Sequence, residues 1–424
     1  MGDSSSDRSA GAERPLFGRR VALIHPAWHS CGTYRVVLGQ IAAYRALGAD
    51  VFPIAISSDP GFVPGRNWIW KAFNRATPEL DDGPRHRGGA PLSALVAPRF
   101  LRDVLWPYLH GDQAALRLGM AARTLLSPGL DGARFDLVHC NHFFLMPIAR
   151  RLSRGTAPIL LDTHDLQARQ FALINETMPW LSPRATYESM LARELEAMRG
   201  ADLLLHLNAQ EAETFRALLP EKAHALLYPA IPEAPTGPGG PDIVLVASNN
   251  AANVESVIWF LREVAPKTQG VAVKIVGNVD AAIRAQAPEE YAAYKDWFLG
   301  RVDDPRAVYA NARVALLPTI SGTGLSIKSV EALSSGLPLI ATTQAMRGMD
   351  EDALRLSGVI IADSALEFAD TLSRTTVIAP LDESARRASS ARRYYDSRFS
   401  LCAYKASLGV LTGALIRAGA ENTT

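Results

Sequence analysis

The segment from Val314 to Met349 constrains the fold more than any other. Val314–Leu317 is a short, apolar, β-rich run that reads as a buried strand. A loop follows over Thr319–Gly324, with glycines at 322 and 324. Ile327, Val330 and Leu333 then recur at helical spacing on one face. Gly336 stands where a helix-terminating glycine belongs, and Pro338 lies just beyond it. Leu339–Thr342 reads as the next strand. Strand, glycine loop, helix and strand in this order form the repeating unit of a parallel α/β sheet.

Such a loop suits an anion. Glycine lets the backbone approach closely, and the first N–H groups of a helix lack partners of their own. The helix dipole adds to the attraction for a phosphate. Lys328 contributes a full positive charge, and Glu331 lies nearly one turn later on the same face. A cation for a diphosphate beside a carboxylate for ribose hydroxyls suits a nucleotide. The plainer alternative is a tight turn with a surface ion pair. The full spacing, Gly-x-Gly-x-x-x-Lys-x-x-Glu-Ala and then Gly-x-Pro and a strand, points to the nucleotide.

The chain has 424 residues, enough for two ordinary domains. It is 48% hydrophobic and 21% charged, as globular chains are. Its formal net charge of +1 gives no electrostatic argument for nucleic acid. Cys31, Cys140 and Cys402 have no zinc or redox spacing, which fits free thiols in a reducing compartment. No uninterrupted apolar run spans a bilayer, residues 1–20 lack a secretory core, and residues 1–17 read as a disordered tail.

The chain opens with a strand at Val21–Ile24, a loop over His25–Thr33, a helix over Tyr34–Leu47 and a strand at Val51–Ile56. That is a Rossmann-like start without Gly-x-Gly-x-x-Gly, so no dinucleotide redox cofactor is indicated. Residues 66–109 interleave aromatics with Arg66, Lys71, Arg99 and Arg102. They suit packed helices, a cover over an acceptor site, or peripheral contact with a membrane surface. Regular strands return at Asp136–Cys140 and Pro158–Asp162, the latter ending in Thr163-His164-Asp165. A histidine at the C-terminal end of a parallel strand points towards the crevice where such sheets bind ligands. His139 and His142 fit supporting or structural places. Arg184–Met198 and Gln210–Leu218 read as helices, and Leu226–Tyr228 as a short strand. The Pro/Gly-rich run 231–241 is the best linker in the chain. A second domain then opens with a strand at Ile243–Ala247 and Asn253 as a helix cap. No His/Cys/Asp set has metal spacing, and Asp350-Glu351-Asp352 reads as a solvated acidic loop.

The 314–349 stretch resembles the nucleotide-sugar site of retaining GT-B glycosyltransferases of the group 1, or family 4, type. Those enzymes carry a similar glycine loop, Lys, Glu-Ala and Gly-x-Pro run in their C-terminal domain. The resemblance extends over most of the chain. It implies two Rossmann-like α/β domains facing across a cleft, at about 18–232 and 240–385, with a C-terminal helix (about 390–424) crossing back to the first. The resemblance would make Tyr394, Tyr395, Phe399, Leu401 and Tyr404 its docking face. It implies transfer of a hexose-type sugar from a UDP- or GDP-sugar to a hydroxyl of a glycan or lipid-linked acceptor. Retention, no metal and no cofactor belong to the same expectation, in the cytoplasm or at the inner face of a membrane.

Residue by residue, the resemblance gives Lys328 and the loop Gly322, Thr323, Gly324, Leu325 and Ser326 to the diphosphate. It gives Glu331 to ribose and His164 to the transferred sugar. Gly32 and Thr33 fall in the N-terminal loop near donor phosphates and acceptor. Asn250 and Asn253 fall in a phosphate loop where relatives often carry a basic residue, and Arg301 falls near the base. The sequence departs from the family at Thr323, where many retaining members have a glutamate eight positions before Glu331. That departure keeps two alternatives open: a catalytically idle nucleotide-sugar binder or scaffold, and a GT-B sugar-nucleotide epimerase.

Overall fold

The computed structural model describes residues 14–28, 32–57, 86–268, 270–375 and 379–421. It divides into two compact units, one of them Met1–Leu207, Glu211–Pro229 and Tyr404–Thr424, the other Asn208–Gln210 and Ala230–Ala403.

The first unit is built on β1 (Arg20–Pro26), β2 (Asp50–Ser57), β3 (His86–Gly89), β4 (Leu125–Leu126), β5 (Leu137–Asn141), β6 (Ile159–Asp162), β7 (Leu203–His206) and β8 (Ala223–Leu226). They form one sheet in the order β4-β3-β2-β1-β5-β6-β7-β8, parallel except for the β3–β4 pair. Strands covered on both faces read as apolar runs, as β5 and β6 do. Among the helices are α1 (Gly32–Ala46), α2 (Gln113–Ala122), α3 (Met146–Ser153), α4 (Gln167–Glu176), α5 (Tyr187–Met198) and α6 (Ala209–Leu218). The strand read at Leu226–Tyr228 lies earlier, at Ala223–Leu226, where it pairs with β7. Leu16 is buried and its N–H donates to Leu47 O, so Arg14–Phe17 form a packed turn. Residues 1–13 of the expected tail lie outside the described residues.

The second unit holds β9 (Asp242–Val246), β10 (Lys274–Val276), β11 (Phe298–Gly300), β12 (Ala312–Leu317), β13 (Leu339–Ala341) and β14 (Val359–Ile361). All pairs are parallel, in the order β11-β10-β9-β12-β13-β14. Its helices include α7 (Ala251–Trp259), α8 (Ile327–Ser334), α9 (Ala365–Thr375), α10 (Glu383–Arg387) and α11 (Ser390–Arg398). In each sheet the chain runs outwards along one side and then returns to begin the other. The reversal falls between β1 and β5 in the first unit and between β9 and β12 in the second.

The Pro/Gly run 231–241 is packed and not free. Ile231 and Ala234 are buried. A Cβ on Gly237 would lie 2.5 Å from Ala310 O, and one on Gly240 would lie 2.4 Å from Asn311 O. These glycines serve close backbone approach. The C-terminal helix expected at about 390–424 is two helices, α11 and α12 (Leu401–Glu421). Tyr404, Leu408, Thr412 and Ile416 form the buried stripe of α12, at four-residue steps. Gly409 lies against Leu47, and Gly419 against Pro158. The expected docking face is thereby corrected: Tyr394 and Tyr395 bond to Asp350 and Ile231 O within the second unit, and Leu401 is exposed. The stretch Ser390–Gly419 is long and apolar enough to cross a membrane by length and composition, contrary to the sequence expectation. Its buried stripe is that of a helix packed on a domain.

Arg386 is fully buried. Its Nε donates to Ser335 O (3.1 Å), Nη1 to Gly237 O (3.2 Å) and Ala310 O (3.0 Å), and Nη2 to Tyr309 O (2.6 Å). Replacing it with Met strands four buried carbonyls. Arg386→Met is expected to destabilise the second unit by about 3–5 kcal/mol. Calorimetry of the variant checks this; a melt within 2 °C or so of the parent would refute the role.

Candidate functional site

Each unit assembles polar side chains at the C-terminal ends of its strands, beside its own topological switch point, where open parallel sheets bind ligands.

In the first unit the site grows from three strand ends. His142 follows β5 and His164 follows β6, and both have positive φ, of 71° and 59°. His142, with ψ of 140°, lies outside the left-handed helical well, a conformation that side chains with a Cβ rarely adopt. The two rings stack, with centroids 4.1 Å apart and planes 12° apart. Thr33, at the start of α1, places Oγ1 3.4 Å from His142 Nε2. Gly32 is the first residue of the same helix.

A buried amide network sets the state of His164. Asn141 Nδ2 donates to Ile24 O (3.2 Å) and to Gln40 Oε1 (2.9 Å). Its Oδ1 therefore faces Gln40 Nε2 (3.1 Å) and His164 Nε2 (2.8 Å). An amide oxygen only accepts, so His164 Nε2 carries the hydrogen and Nδ1 keeps its lone pair. Burial pulls the His164 pKa down to about 3, so the ring is neutral at physiological pH. Gln40 Nε2 also donates to Asp162 Oδ2 (2.9 Å), while Asp162 Oδ1 accepts from the His164 N–H (3.3 Å). Burial pushes the Asp162 carboxyl up to about 7. His139 is structural: its Nδ1 lies 2.9 Å from the Tyr44 hydroxyl inside the core.

The chain after His164 is held by two glutamate side chains. Glu194 Oε1 accepts from Gln167 N (3.0 Å) and Oε2 from Ala168 N (2.7 Å), capping α4. Glu211 Oε1 accepts from Leu166 N (3.3 Å). Asp165, half-buried and raised by desolvation, lies between these groups and His164 along the chain.

In the second unit the glycine loop runs from β12 to α8. Gly322 and Gly324 have φ of 121° and 67°, conformations that side chains with a Cβ rarely adopt. Gln344 Nε2 donates to Gly322 O (2.8 Å), and Arg347 Nε donates to Thr323 O (3.3 Å). Ser326 N donates to Arg347 O (3.4 Å). Ser326 is the N-cap of α8, but its hydroxyl turns to Ser329 Oγ (2.8 Å), and no side chain caps the first amides of the helix. Leu325 packs at the close approach of Gly348.

Lys328 is half-buried, and its Nζ is shielded from solvent without a hydrogen-bond partner. Desolvation lowers its pKa to about 7; the charge of Glu331 opposes that shift and the charge of Arg347 adds to it. Glu331 is buried, with charge coupling to Lys328, Arg306 and Tyr309.

Asn250 and Asn253 are occupied locally. Asn250 Oδ1 caps α7 by accepting from Asn253 N (2.9 Å), and Asn253 Nδ2 donates to Ser248 O (2.9 Å). Arg301 is exposed after β11 and makes no ion pair among the described residues. Asp350 and Asp352 pair with Arg398 (3.1 and 3.4 Å), so the acidic loop is tied to α11 and not simply solvated. Among the described residues no group of three His, Cys, Asp or Glu side chains has metal-binding geometry. Of residues 66–109, those up to 85 lie outside the described residues; beyond them Leu101, Trp106 and Leu109 are exposed. Sequence reasoning missed Gln40, Asn141, Glu194, Gln344 and Arg347. Only Asp162, the polar end of PILLD, carried a signal for the network around His164.

Glu194 is raised by burial to about 8, above the ordinary 4.5. The folded state therefore holds this proton up to a higher pH than the unfolded state does. Stability is full below about 4.5 and falls as pH rises to 8. Glu194→Gln is expected to flatten that part of the melting-temperature profile between pH 5 and 8. An unchanged slope would remove Glu194 as its source.

Two family models match the chain. The model described as glycosyl transferase 4-like domain takes in residues 32–230, and the one described as glycosyl transferases group 1 takes in residues 240–376. No curated protein sequence matches. Among solved structures, Anabaena Alr3699/HepE in complex with UDP has a TM-score of 0.58 at 14% identity, covering 93% of this chain and 100% of its own. A glycosyltransferase from Rickettsia africae ESF-5 has a TM-score of 0.58 at 13% identity, covering 95% and 99%. The UDP-forming α,α-trehalose-phosphate synthase of Burkholderia vietnamiensis has a TM-score of 0.55 at 14% identity, covering 95% and 98%. At such identities the structures speak for the GT-B fold. With both family models in sequence along it, the chain belongs to the group 1 glycosyltransferases.

Proposed function

We propose that the chain transfers a hexose-type sugar from a UDP- or GDP-sugar to a hydroxyl of a glycan or lipid-linked acceptor, with retention of configuration. The observation that carries the donor side is Lys328 Nζ, desolvated and unpartnered above the glycine loop at the β9/β12 switch point. An unpaired buried amine is unfavourable until an anion joins it. The loop amides of Gly324 and Leu325, the uncapped start of α8 and Lys328 receive the diphosphate; the Ser326 amide is taken by Arg347 O. They stabilise its charge as the glycosidic bond breaks. Glu331 accepts from ribose hydroxyls. His164, neutral and with Nδ1 as acceptor, takes a sugar hydroxyl. With the leaving charge borne by these groups, the reaction proceeds without a divalent cation, and EDTA is expected to leave the rate within about twofold.

The UDP named with Alr3699/HepE supports a uridine donor. Exposed Leu101, Trp106 and Leu109 support the lipid-linked acceptor; co-sedimentation with anionic vesicles, lost in Trp106→Ser, is the expected result, and no pelleting of the parent would oppose it.

The scaffold reading is kept by Thr323, which gives no carboxylate where many relatives have one. Thermal shift against UDP, GDP and ADP, followed by donor hydrolysis, separates the readings. One nucleotide near 100 times its dissociation constant should stabilise the parent by about 2.7 kcal/mol. Lys328→Ala and Glu331→Ala are each expected to lose that shift. Binding without any turnover would favour the scaffold, and no binding at all would refute both.

The Lys328 pKa also sets a pH dependence. Above about pH 7 the free protein must take up a proton to pair Nζ with phosphate. Affinity for UDP-glucose, whose own charge is constant there, is expected to fall towards tenfold per pH unit. Lys328→Arg keeps its charge and should flatten the profile; a parent affinity constant from pH 6.5 to 8.5 would contradict this.

A further inference from the structure

We infer that Arg347 is the second cation of the donor site, joining Lys328 on one anionic group of the nucleotide sugar. The inference rests on the nucleotide-sugar reading and adds a residue to it.

Arg347 leaves the turn that follows β13 and reaches back over the glycine loop. Its Nε donates to Thr323 O (3.3 Å) and its Nη1 to Gln344 O (3.2 Å). Both partners are neutral carbonyls, and among the described residues no carboxylate forms an ion pair with Arg347. The guanidinium lies directly above Gly322, where a Cβ would come within 3.0 Å of Nη2. Glycine at 322 thus serves the arginine as well as the turn. Gln344, three residues before Arg347, fixes the same glycine through its carbonyl.

Lys328 Nζ is the second observation, a shielded ammonium with no hydrogen-bond partner. It is coupled to Arg347 by like charge. The shielded Lys328 ammonium and the half-buried Arg347 guanidinium repel each other, and Glu331 is the carboxylate coupled to Lys328. An incoming group with two negative charges turns that repulsion into attraction to both. The planar guanidinium engages two oxygens at once, and the ammonium adds a point charge.

The other strand at the switch point, β9, brings no cation in the loop that follows it. Ser248, Asn249, Asn250 and Asn253 stand there, bonded among themselves and to Asn278. The second positive charge therefore comes from the β13 side of the loop.

Two anions of the donor share this chemistry: the terminal phosphate of the diphosphate and the carboxylate of an acidic sugar. Titration calorimetry on the parent, Arg347→Gln and Arg347→Lys with UDP, UMP, UDP-glucose and UDP-glucuronate distinguishes them. The expected result is a tenfold or greater loss for UDP and UDP-glucose in Arg347→Gln, little change for UMP, and partial recovery in Arg347→Lys. A loss confined to UDP-glucuronate assigns the same seat to the sugar carboxylate. Equal affinities of the parent and Arg347→Gln for all four ligands would overturn the inference while the donor reading stands. An equal loss for all four, UMP included, would also overturn it, since that is the mark of a collapsed loop. If the parent binds none of these and none of the guanosine counterparts, the nucleotide-sugar reading itself falls, and this inference with it.

Discussion

A guanidinium whose hydrogen bonds all go to backbone carbonyls organises the second unit. Arg386 spreads its donors over carbonyls from the linker, the turn before β12 and the end of α8. Backbone carbonyls at a helix end have no intrahelical partner, so a buried arginine both satisfies them and neutralises the negative end of the dipole. Gly336 completes the contact, because a Cβ there would lie 2.2 Å from Arg386 O. With its C-terminal end fixed in this way, α8 presents Lys328 and Glu331 from a rigid element. The opposite, N-terminal end of the helix has no side-chain cap.

The first unit solves a different problem. Four polar side chains, Gln40, Asn141, Asp162 and His164, are buried together at the ends of β5 and β6 and within α1. Each is satisfied by another or by the backbone, so the group behaves as one unit, and changing one member disturbs all. The fixed point is Ile24 O. It determines the orientation of the Asn141 amide, and that amide determines the His164 tautomer. Glu194 and Glu211 then tie down the chain that leaves His164, so the left-handed backbone at this position is held from both sides.

The β-α-β order was legible because parallel strands are buried on both faces and show as apolar runs between glycine-rich turns. The glycine loop, Lys328 and Glu331 were legible because they lie within one short segment whose spacing reflects one helix face. Gln40 and Arg347 were not. Gln40 sits inside α1 with no local pattern, and its partners are about a hundred residues away. Arg347 follows a turn after β13, and only the fold brings it over Gly322. The 231–241 run misled for a physical reason: glycine marks both freedom and close approach, and sequence alone does not separate them. The C-terminal helix of about 390–424 was given one docking face because composition does not show that Tyr394 and Tyr395 bond within one unit while Tyr404 packs in the other.

The two polar sets differ in charge, and that difference bears on selectivity. The second unit keeps the Lys328 ammonium shielded and without a partner, Arg347 bonded to carbonyls and Glu331 as the carboxylate coupled to Lys328, which favours a ligand carrying more than one negative charge. The first unit keeps His164 neutral by burial and gives its Nε2 hydrogen to Asn141, which leaves an uncharged acceptor suited to a hydroxyl. The absence of a carboxylate at Thr323 fits the same division. Arg347 takes the Thr323 backbone carbonyl, and a glutamate at 323 in reach of that guanidinium would pair with it and neutralise its charge. Thr323 and Arg347 are therefore best understood together, the one leaving free the charge that the other provides.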